Sequence, residues 1–319
     1  MKKILITGIS GFVGGFLAEH IAKSDSENTI IGTYLFEPSV SSLDSIGQAP
    51  KLYQVDLIDQ QKVHGFIAQT RPDTIYHLAA LSSPAESFKN PAQTIGNNIN
   101  AQINLFEAVR KNGLTETKIL IISSSEVYGI IDALDLPVDE DTPLKPVSPY
   151  GVSKIAQDYL GLQYFNAYRM GIYRVRPFNH IGPGQSPHFV VSSFAKQVAE
   201  IEKGKKQPVF TVGNLHAKRD FTDVRDIVVA YTLILEKGKA GDVYNVGSGI
   251  SYSISDILDI LLSLAKIKIT VQVDKALLRP GDVPEIVSDN KKIETLGWKP
   301  TIPLEQSLRD TLEYWRNIL

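Results

Sequence analysis

Three glycines near the start of the chain lie where a first strand is expected to turn into a helix. The apolar segment Lys3–Thr7 runs directly into Gly8-Ile9-Ser10-Gly11-Phe12-Val13-Gly14, and Phe12–Ala22 has a helical pattern. Glycines at such a turn let backbone N–H groups approach a pyrophosphate, which the positive N-terminus of the helix attracts. Glycines are also common in ordinary tight turns, so the G-x-x-G-x-x-G spacing alone is weak evidence. The position of these glycines, between the first strand and a helix, is what indicates dinucleotide binding. It predicts a dinucleotide-binding unit whose cofactor contacts are Gly8, Ser10, Gly11, Phe12, Val13 and Gly14.

Apolar strands alternate with helical segments through the first half of the chain. The predicted strands are Lys3–Thr7, Thr29–Thr33, Lys51–Val55, Thr74–Leu78, Lys118–Ser123 and Ile172–Arg176, and the helices include Phe12–Ala22, Gln61–Gln69, Pro91–Asn112 and Tyr150–Arg169. Near-continuous apolar strands separated by helices are typical of a parallel sheet that is covered on both faces. We therefore predict an α/β fold with a doubly wound parallel sheet of the Rossmann type.

The pattern changes after Pro177. A Gly/Pro-rich loop is followed by a helix near Phe189–Lys203, irregular structure to Arg219 and a helix at Val224–Glu236, and Val243–Val246 is a strand that could rejoin the main sheet. We predict that residues 1–176 and about 222–248 form the dinucleotide-binding domain. Residues from about 177 to 221 and 249–319 then form a smaller, mainly helical lobe that binds the substrate.

The composition excludes several other classes of protein. The chain has no cysteine, which rules out disulfides, thiolate nucleophiles and Cys-ligated zinc, and its six histidines lack the His-x-x-x-His spacing of a metal site. A net charge of −2 without a basic block argues against a nucleic-acid surface. No apolar run approaches the ~20 residues of a membrane helix. Lys2 and Lys3 begin a segment that resembles a signal peptide, but Thr7 and Gly8 break its apolar run. We expect a cytoplasmic protein without a bound metal.

Tyr150 and Lys154 place a phenol and an ammonium four residues apart, on one face of a predicted helix. A free phenol has a pKa of about 10, too high for ready proton exchange at neutral pH. A nearby ammonium favours the phenolate, so we expect Lys154 to lower the pKa of Tyr150 and make it a general acid or base. A buried tyrosine with a lysine whose stem covers apolar surface is the alternative.

A run of hydroxyls follows the strand Lys118–Ser123, in the segment Ser123-Ser124-Ser125-Glu126-Val127-Tyr128-Gly129. Ligands of doubly wound folds bind at the carboxyl ends of the strands, so these side chains are candidates for the chemistry. A serine-rich turn without a catalytic role is the alternative.

The end of the second predicted strand leaves the choice of cofactor open. An acidic residue there favours NAD and an arginine favours NADP, but Thr33-Tyr34-Leu35-Phe36 contains neither, and Glu37 comes late. The cofactor is therefore predicted as NADPH or NADH.

Taken together, the glycine trio, the Ser-Ser-Ser-Glu-Val-Tyr-Gly segment and Tyr150-x-x-x-Lys154 resemble the extended short-chain dehydrogenase/reductase family, in the family's order and over essentially the whole chain. The resemblance implies catalytic roles for Ser124, Tyr150, Lys154 and Glu126. It adds as cofactor contacts Asp56, Leu57, Leu78, Ala79, Ala80, Asn98, Tyr150, Lys154 and Pro177.

Enzymes of this family mostly act on nucleotide-activated sugars, and three later segments resemble their substrate-binding motifs. These segments are Arg176–Gly184, Arg219–Asp226 and Arg279–Val283. The implied substrate contacts are Ser124, Ser125, Glu126, Asn179, Arg219 and Arg279. Guanidinium groups suit the diphosphate oxygens, although each arginine could instead be structural.

Within the family, the likeness is greatest to enzymes that act on GDP-mannose and its derivatives. The segment Phe178–Gln185, followed by Phe189, resembles that of reductases, and Gln185–Val191 lacks the basic residues that dehydratases carry there. The resemblance therefore implies NAD(P)H-dependent reduction of the C4 keto group of GDP-4-keto-6-deoxy-D-mannose to GDP-D-rhamnose. Glu126 stands where dehydratases keep a base, so a GDP-mannose 4,6-dehydratase, or another sugar-nucleotide epimerase or reductase, is the alternative.

The predicted helices Pro91–Asn112 and Tyr150–Arg169 carry small and apolar residues on more than one face. In similar proteins such helices pair across a two-fold axis, which implies a homodimer with a four-helix bundle. Packing within one chain is the alternative.

Overall fold

Seven parallel strands form the main sheet of the protein, which we describe from a computed structural model covering residues 1–36, 49–274 and 283–319. In chain order the described strands are β1 (Lys3–Thr7), β2 (Thr29–Tyr34), β3 (Lys51–Gln54), β4 (Thr74–His77), β5 (Lys118–Ile122), β6 (Ile172–Pro177), β7 (Asn179–Ile181), β8 (Val209–Val212), β9 (Lys218–Asp223), β10 (Val243–Val246), β11 (Ser251–Ser253), β12 (Thr270–Val273) and β13 (Glu285–Ile286). The order in the main sheet is β10-β6-β5-β4-β1-β2-β3. Each strand predicted for this sheet is confirmed, with ends shifted by at most one residue.

Helices cover both faces of this sheet. The described helices are α1 (Phe12–Ser24), α2 (Gln60–Thr70), α3 (Pro84–Lys89), α4 (Pro91–Lys111), α5 (Pro149–Tyr168), α6 (Val190–Glu202), α7 (Val224–Lys237), α8 (Ile254–Ser263), α9 (Lys291–Glu294) and α10 (Leu304–Ile318). Helices α1 and α7 pack together on one face, and α2, α4 and α5 pack side by side on the other. Because both faces are buried, the strands need apolar side chains at successive positions, as Ile4, Leu5 and Ile6 of β1 illustrate. The predicted doubly wound sheet of the Rossmann type is thus confirmed.

The second part of the chain has its own core. Helices α6, α8 and α10 pack around apolar side chains such as Phe210, Leu261 and Trp315. The strands β7, β9, β11 and β13 form a small mixed sheet, and β8 pairs with β12. The segment before Arg219, predicted as irregular, contains β8 and the start of β9. These strands are short and pair with segments distant in sequence, so no local alternation of apolar residues identified them.

No helix within residues 1–36, 49–274 and 283–319 is long and apolar enough to cross a membrane.

Candidate active site

A cavity of about 950 Å³ lies where β1, β4, β5 and β6 of the main sheet end. The glycine loop and the segments that follow these four strands line one part of it. Residues of α6 and β9, from the second part of the chain, line another. The cavity therefore brings the predicted cofactor-binding and substrate-binding segments to a single site.

The glycine loop has a shape that side chains would prevent. Gly8 adopts a φ of 70°, and its carbonyl oxygen accepts a hydrogen bond from Gly11 N at 3.0 Å. A Cβ atom at Gly14 would lie 2.6 Å from the carbonyl oxygens of both Gly8 and Ile9. Ser10, Gly11, Phe12, Val13 and Gly14 line the cavity directly before and within the first turn of α1. This is the arrangement that the sequence predicts for pyrophosphate binding.

Tyr150 and Lys154 lie in the first turns of α5 and both line the cavity. The helix begins where the Ser148 hydroxyl accepts a hydrogen bond from Gly151 N at 3.0 Å, with Pro149 at its first position. The Ser124 hydroxyl lies close enough to the Tyr150 phenol to favour its charged form. The Lys154 Nζ lies 5.7 Å from the centre of the Tyr150 ring. The structure thus brings together the phenol, ammonium and hydroxyl that the sequence singled out.

Burial controls the ionisation of this pair. Removal from water raises the pKa of Tyr150 well above its usual value, and the charge of Glu126 adds to this effect. Burial also lowers the pKa of Lys154 to about 7. The pKa of Tyr150 is therefore raised rather than lowered as predicted, because burial of the phenol has the largest effect on it. Tyr150 is a neutral phenol, the form that can donate a proton.

The residues after β5 turn toward the cavity in one short 3₁₀ turn, Ser125–Val127. The Ser124 hydroxyl accepts a hydrogen bond from Glu126 N at 3.2 Å, which closes this turn. Ser124, Ser125 and Glu126 all line the cavity. The structure therefore places the predicted hydroxyls and carboxylate in the same cavity as Tyr150.

The segment after β4 also lines the cavity, next to the glycine loop. Leu78, Ala79 and Ala80 are lining residues, and Ala79 N donates to Thr7 Oγ1 at 3.2 Å. The same hydroxyl is 2.9 Å from His77 Nδ1. These contacts hold the ends of β1 and β4 together. The other predicted cofactor contacts that line the cavity are Asp56, Leu57 and Pro177.

Comparison with known proteins identifies the family of the chain. The model of the GDP-mannose 4,6 dehydratase family matches residues 5–311. The chain belongs to this family.

Relatives of known activity cover nearly the full length of the chain. The GDP-6-deoxy-D-mannose reductase of Pseudomonas aeruginosa is 33 % identical over 317 residues, which are 99 % of this chain and 98 % of the relative. A GDP-mannose 4,6-dehydratase of Vibrio cholerae is 30 % identical over 349 residues, covering 97 % of this chain and 92 % of the relative. Both activities weighed from the sequence thus occur among the relatives.

Solved structures share the fold over the whole chain. RMD from Pseudomonas aeruginosa, complexed with NADPH, superposes with a TM-score of 0.88 and 31 % identity, and the match covers 100 % of both chains. A UDP-glucose 4-epimerase of Thermus thermophilus, in complex with NAD, has a TM-score of 0.87 and 27 % identity, and the match covers 99 % of this chain and 100 % of the other. Nicotinamide cofactors are therefore bound by proteins with this fold and with related sequences.

One predicted cofactor contact of this GDP-mannose 4,6 dehydratase family member does not line the described cavity. Asn98 is fully buried and is not a lining residue of the described cavity. Its Oδ1 accepts from Leu81 N at 2.8 Å, and its Nδ2 donates to Leu81 O at 3.1 Å and to Ser153 Oγ at 3.0 Å. Asn98 thus ties the loop after β4 to α5 from behind the site.

The predicted substrate contacts in the second part of the chain fall into two groups. Asn179 and Arg219 line the cavity, and the Arg219 guanidinium also donates to Val283 O at 2.6 Å. Arg279 lies outside the described residues, as does Glu37. Arg219, on β9, thus brings a guanidinium group to the wall of the cavity.

Helix α3 and its contribution to the site were not predicted. Ser87 on this helix is buried, and its hydroxyl accepts a hydrogen bond from Tyr150 N at 3.1 Å. The segment Ser83-Pro84-Ala85-Glu86 carries the signals of a helix start, a serine cap, a proline and an acidic residue. That signal could have identified α3, but not its contact with Tyr150.

His180 is a second residue of the site that was not selected from the sequence. Its ring stacks on Phe12 of the glycine loop with centroids 6.2 Å apart, and its Nδ1 is 3.0 Å from Phe178 O. The contact joins the glycine loop to the segment that follows β6. Only the fold brings these two positions together.

Proposed function

We propose that the chain is an NAD(P)H-dependent oxidoreductase that reduces the C4 keto group of GDP-4-keto-6-deoxy-D-mannose to GDP-D-rhamnose. The observation that carries this proposal is that the Tyr150 phenol lies close to Lys154 and shares one cavity with Ser124 and the glycine loop. The reductase among the relatives, aligned over nearly the whole of both chains, supports it.

The residues of the site fit acid catalysis at a carbonyl. When bound, a reduced nicotinamide supplies the hydride. The Ser124 hydroxyl orients the C4 oxygen, and Tyr150 donates a proton to the alkoxide that develops there. Lys154, as an ammonium, favours the phenolate that remains on Tyr150 and holds a ribose hydroxyl of the cofactor. Preorganised donors in a cavity with little water lower the barrier further.

GDP-mannose 4,6-dehydration is the second candidate, because Glu126 lines the cavity and its charge acts on Tyr150. The cavity segment Gln185–Val191 lacks lysine and arginine, whereas the resemblance implies a more basic segment in dehydratases. This observation favours the reductase.

Three further predictions remain proposals. Residues 1–176 and about 222–248 form the cofactor domain, and the remaining segments form the substrate lobe.

A homodimer would use the outer surface of α4 and α5, where Val152, Tyr159 and Tyr168 are exposed. Light scattering of the protein in solution measures whether it is a monomer or a dimer. The proposed cytoplasmic location is consistent with a sequence that contains no cysteine.

The variant Tyr150→Phe tests the proposed function. We expect it to keep the cofactor affinity and to lose about 10²- to 10⁴-fold in kcat with the keto sugar, since it removes the acid. Tyr159→Phe, on the exposed face of the same helix, is the control. Unchanged turnover by Tyr150→Phe would refute the assignment.

A substrate comparison separates the two candidates. With GDP-mannose alone, a dehydratase forms a 4-keto sugar without net use of cofactor. A reductase consumes reduced cofactor only when the keto sugar is supplied. NMR of the products decides between them.

A further inference from the structure

Gln157 lies one helical turn beyond Lys154 on α5 and is only 1 % exposed. Its Oε1 accepts a hydrogen bond from Lys154 Nζ at 2.8 Å. Ile122 O, at the end of β5, accepts a second bond from the same ammonium, also at 2.8 Å. An ammonium has three donors. The two acceptors therefore fix its direction and leave one donor for the cavity that Lys154 lines.

The orientation of the Gln157 amide is set by its other contacts. Its Nε2 donates to Asn98 O at 3.0 Å. A rotation of the amide by half a turn would place its oxygen against this carbonyl and its NH₂ group against the Lys154 ammonium. Both contacts would then be repulsive, so the oxygen faces Lys154. Gln102 Nε2 donates to the Gln157 backbone oxygen at 2.7 Å and holds the same segment of α5 against α4.

We propose that Gln157 is a positioning residue for Lys154, one that holds its side chain beside Tyr150 as a charged ammonium. The inference rests on the proposed function, in which Lys154 acts as an ammonium. Gln157 is not among the described residues that line the cavity, so it acts through Lys154 rather than on a ligand. Burial lowers the pKa of Lys154. The Gln157 acceptor has the opposite effect on this pKa, because a hydrogen bond to the charged form favours that form.

Few other groups near Lys154 can change charge in the neutral range. His77, on β4, has a pKa lowered to about 3 by burial and by the charge of Lys154, so it stays neutral. Tyr150, on α5, has a raised pKa, and Glu126, after β5, acts on it as a carboxylate. Tyr231, on α7, is buried and its pKa is raised. His180 and His188 also line the cavity, so a loss of function near neutral pH is assigned to Lys154, whose pKa is about 7, only if substitution of Gln157 shifts it.

Two substitutions of Gln157 should move this titration in opposite directions. Gln157→Met removes the acceptor, and we expect the alkaline limb of the pH profile to move down by about one pH unit, the usual contribution of a hydrogen bond to a charged group. Gln157→Glu places a carboxylate beside the ammonium and should move the limb upward. The upward shift should be smaller, because the second carboxylate oxygen would face Asn98 O.

Two readouts are needed, both from about pH 6 to about pH 9. The first is kcat/KM for the keto sugar. The second is the dissociation constant of NADH, measured by fluorescence without any sugar, since the Lys154 ammonium should contribute to cofactor binding. The control is Gln102→Met, which disturbs the packing of α4 on α5 but leaves both acceptors of Lys154 in place. Thermal unfolding verifies that each variant is folded.

Opposite shifts for the two Gln157 variants, with an unshifted control, support the proposal. Unshifted limbs in both Gln157 variants, or equal shifts in all three variants, would overturn it. If the wild-type protein reduces no sugar, the proposed function fails, but the NADH titration still decides whether Gln157 sets the charge of Lys154.

Discussion

Asn98→Ala should destabilise the protein even when no cofactor is present. The side chain is fully buried and makes three hydrogen bonds of 2.8 to 3.1 Å, two with the backbone of Leu81 and one with Ser153, and it also accepts a longer one of 3.3 Å from Asn97 Nδ2. If Asn98 were only a cofactor contact, its removal would leave the free protein unchanged. The substitution therefore separates the role predicted from the sequence from the role that the structure indicates.

The magnitude follows from the number of bonds. Each buried hydrogen bond contributes about 1 kcal/mol to the free energy of unfolding, so three give about 3 kcal/mol. The entropy of unfolding is about 2.1 cal/mol/K per residue, or about 0.7 kcal/mol/K for 319 residues. The expected fall in Tm is therefore about 4 °C. Asn97→Ala, which removes one bond of 3.3 Å to Asn98, should lower the Tm by less than about 2 °C.

The assay is thermal unfolding of the cofactor-free protein, followed by titration with NADH. We expect the stability loss first, with a smaller loss of affinity because Asn98 holds the loop that contains Ala79 and Ala80. An unchanged Tm together with a large loss of NADH affinity would refute this reasoning. That result would indicate that Asn98 acts mainly as a cofactor contact.

Three other substitutions test separate parts of the molecule. Gly14→Ala should weaken NADH binding more than tenfold, since its Cβ would lie 2.6 Å from two carbonyl oxygens. Gly11→Ala, whose Cβ would have one contact at 3.2 Å, should reduce the NADH affinity less. Equal losses of affinity in a fluorescence titration would contradict this. Phe36→Arg should strengthen NADPH binding about tenfold relative to NADH, because Phe36 lines the cavity and residues 33–50 contain no lysine or arginine; an unchanged ratio of dissociation constants would be the contrary result. Asp158→Asn should lower the free energy of unfolding by about 3–5 kcal/mol in urea titrations, since two buried arginines would lose their shared counter-charge; a change below about 1 kcal/mol would show that the ion pairs contribute little.

The sequence predicted the main sheet because that sheet is buried on both faces. Its strands must then be apolar throughout, and the helices between them must be long enough to cross over. The same reasoning predicted that Val243–Val246 could be a strand of this sheet. The structure shows it as β10, paired with β6, although a long segment of chain separates Pro177 from Val243. The glycine loop was also predictable, because close backbone contacts allow no side chain at Gly14.

Contacts between segments that are distant along the chain could not be predicted from the sequence. The tie between Asn98, Leu81 and Ser153 exists only because α4 packs on α5. The ionisation of Tyr150 was misjudged for a related reason. Spacing along a helix shows that Lys154 is near, but not how completely both side chains are removed from water. The charge of a buried pair depends on that removal as much as on the distance between its members.

The end of β5 shows how three neighbouring residues acquire separate roles in the site. Ile122 O accepts a hydrogen bond from Lys154 Nζ, Ser123 Oγ donates to Lys154 O at 3.3 Å, and the Ser124 hydroxyl lies near the Tyr150 phenol and lowers its pKa. Ser123 is thus part of the strand–helix contact, whereas Ser124 meets the reacting group. A strand end is rigid, so it fixes the distance between phenol and ammonium more closely than helical spacing alone. The serine run is therefore not a set of equivalent hydroxyls, and exchange of Ser124 should affect turnover more than exchange of Ser123.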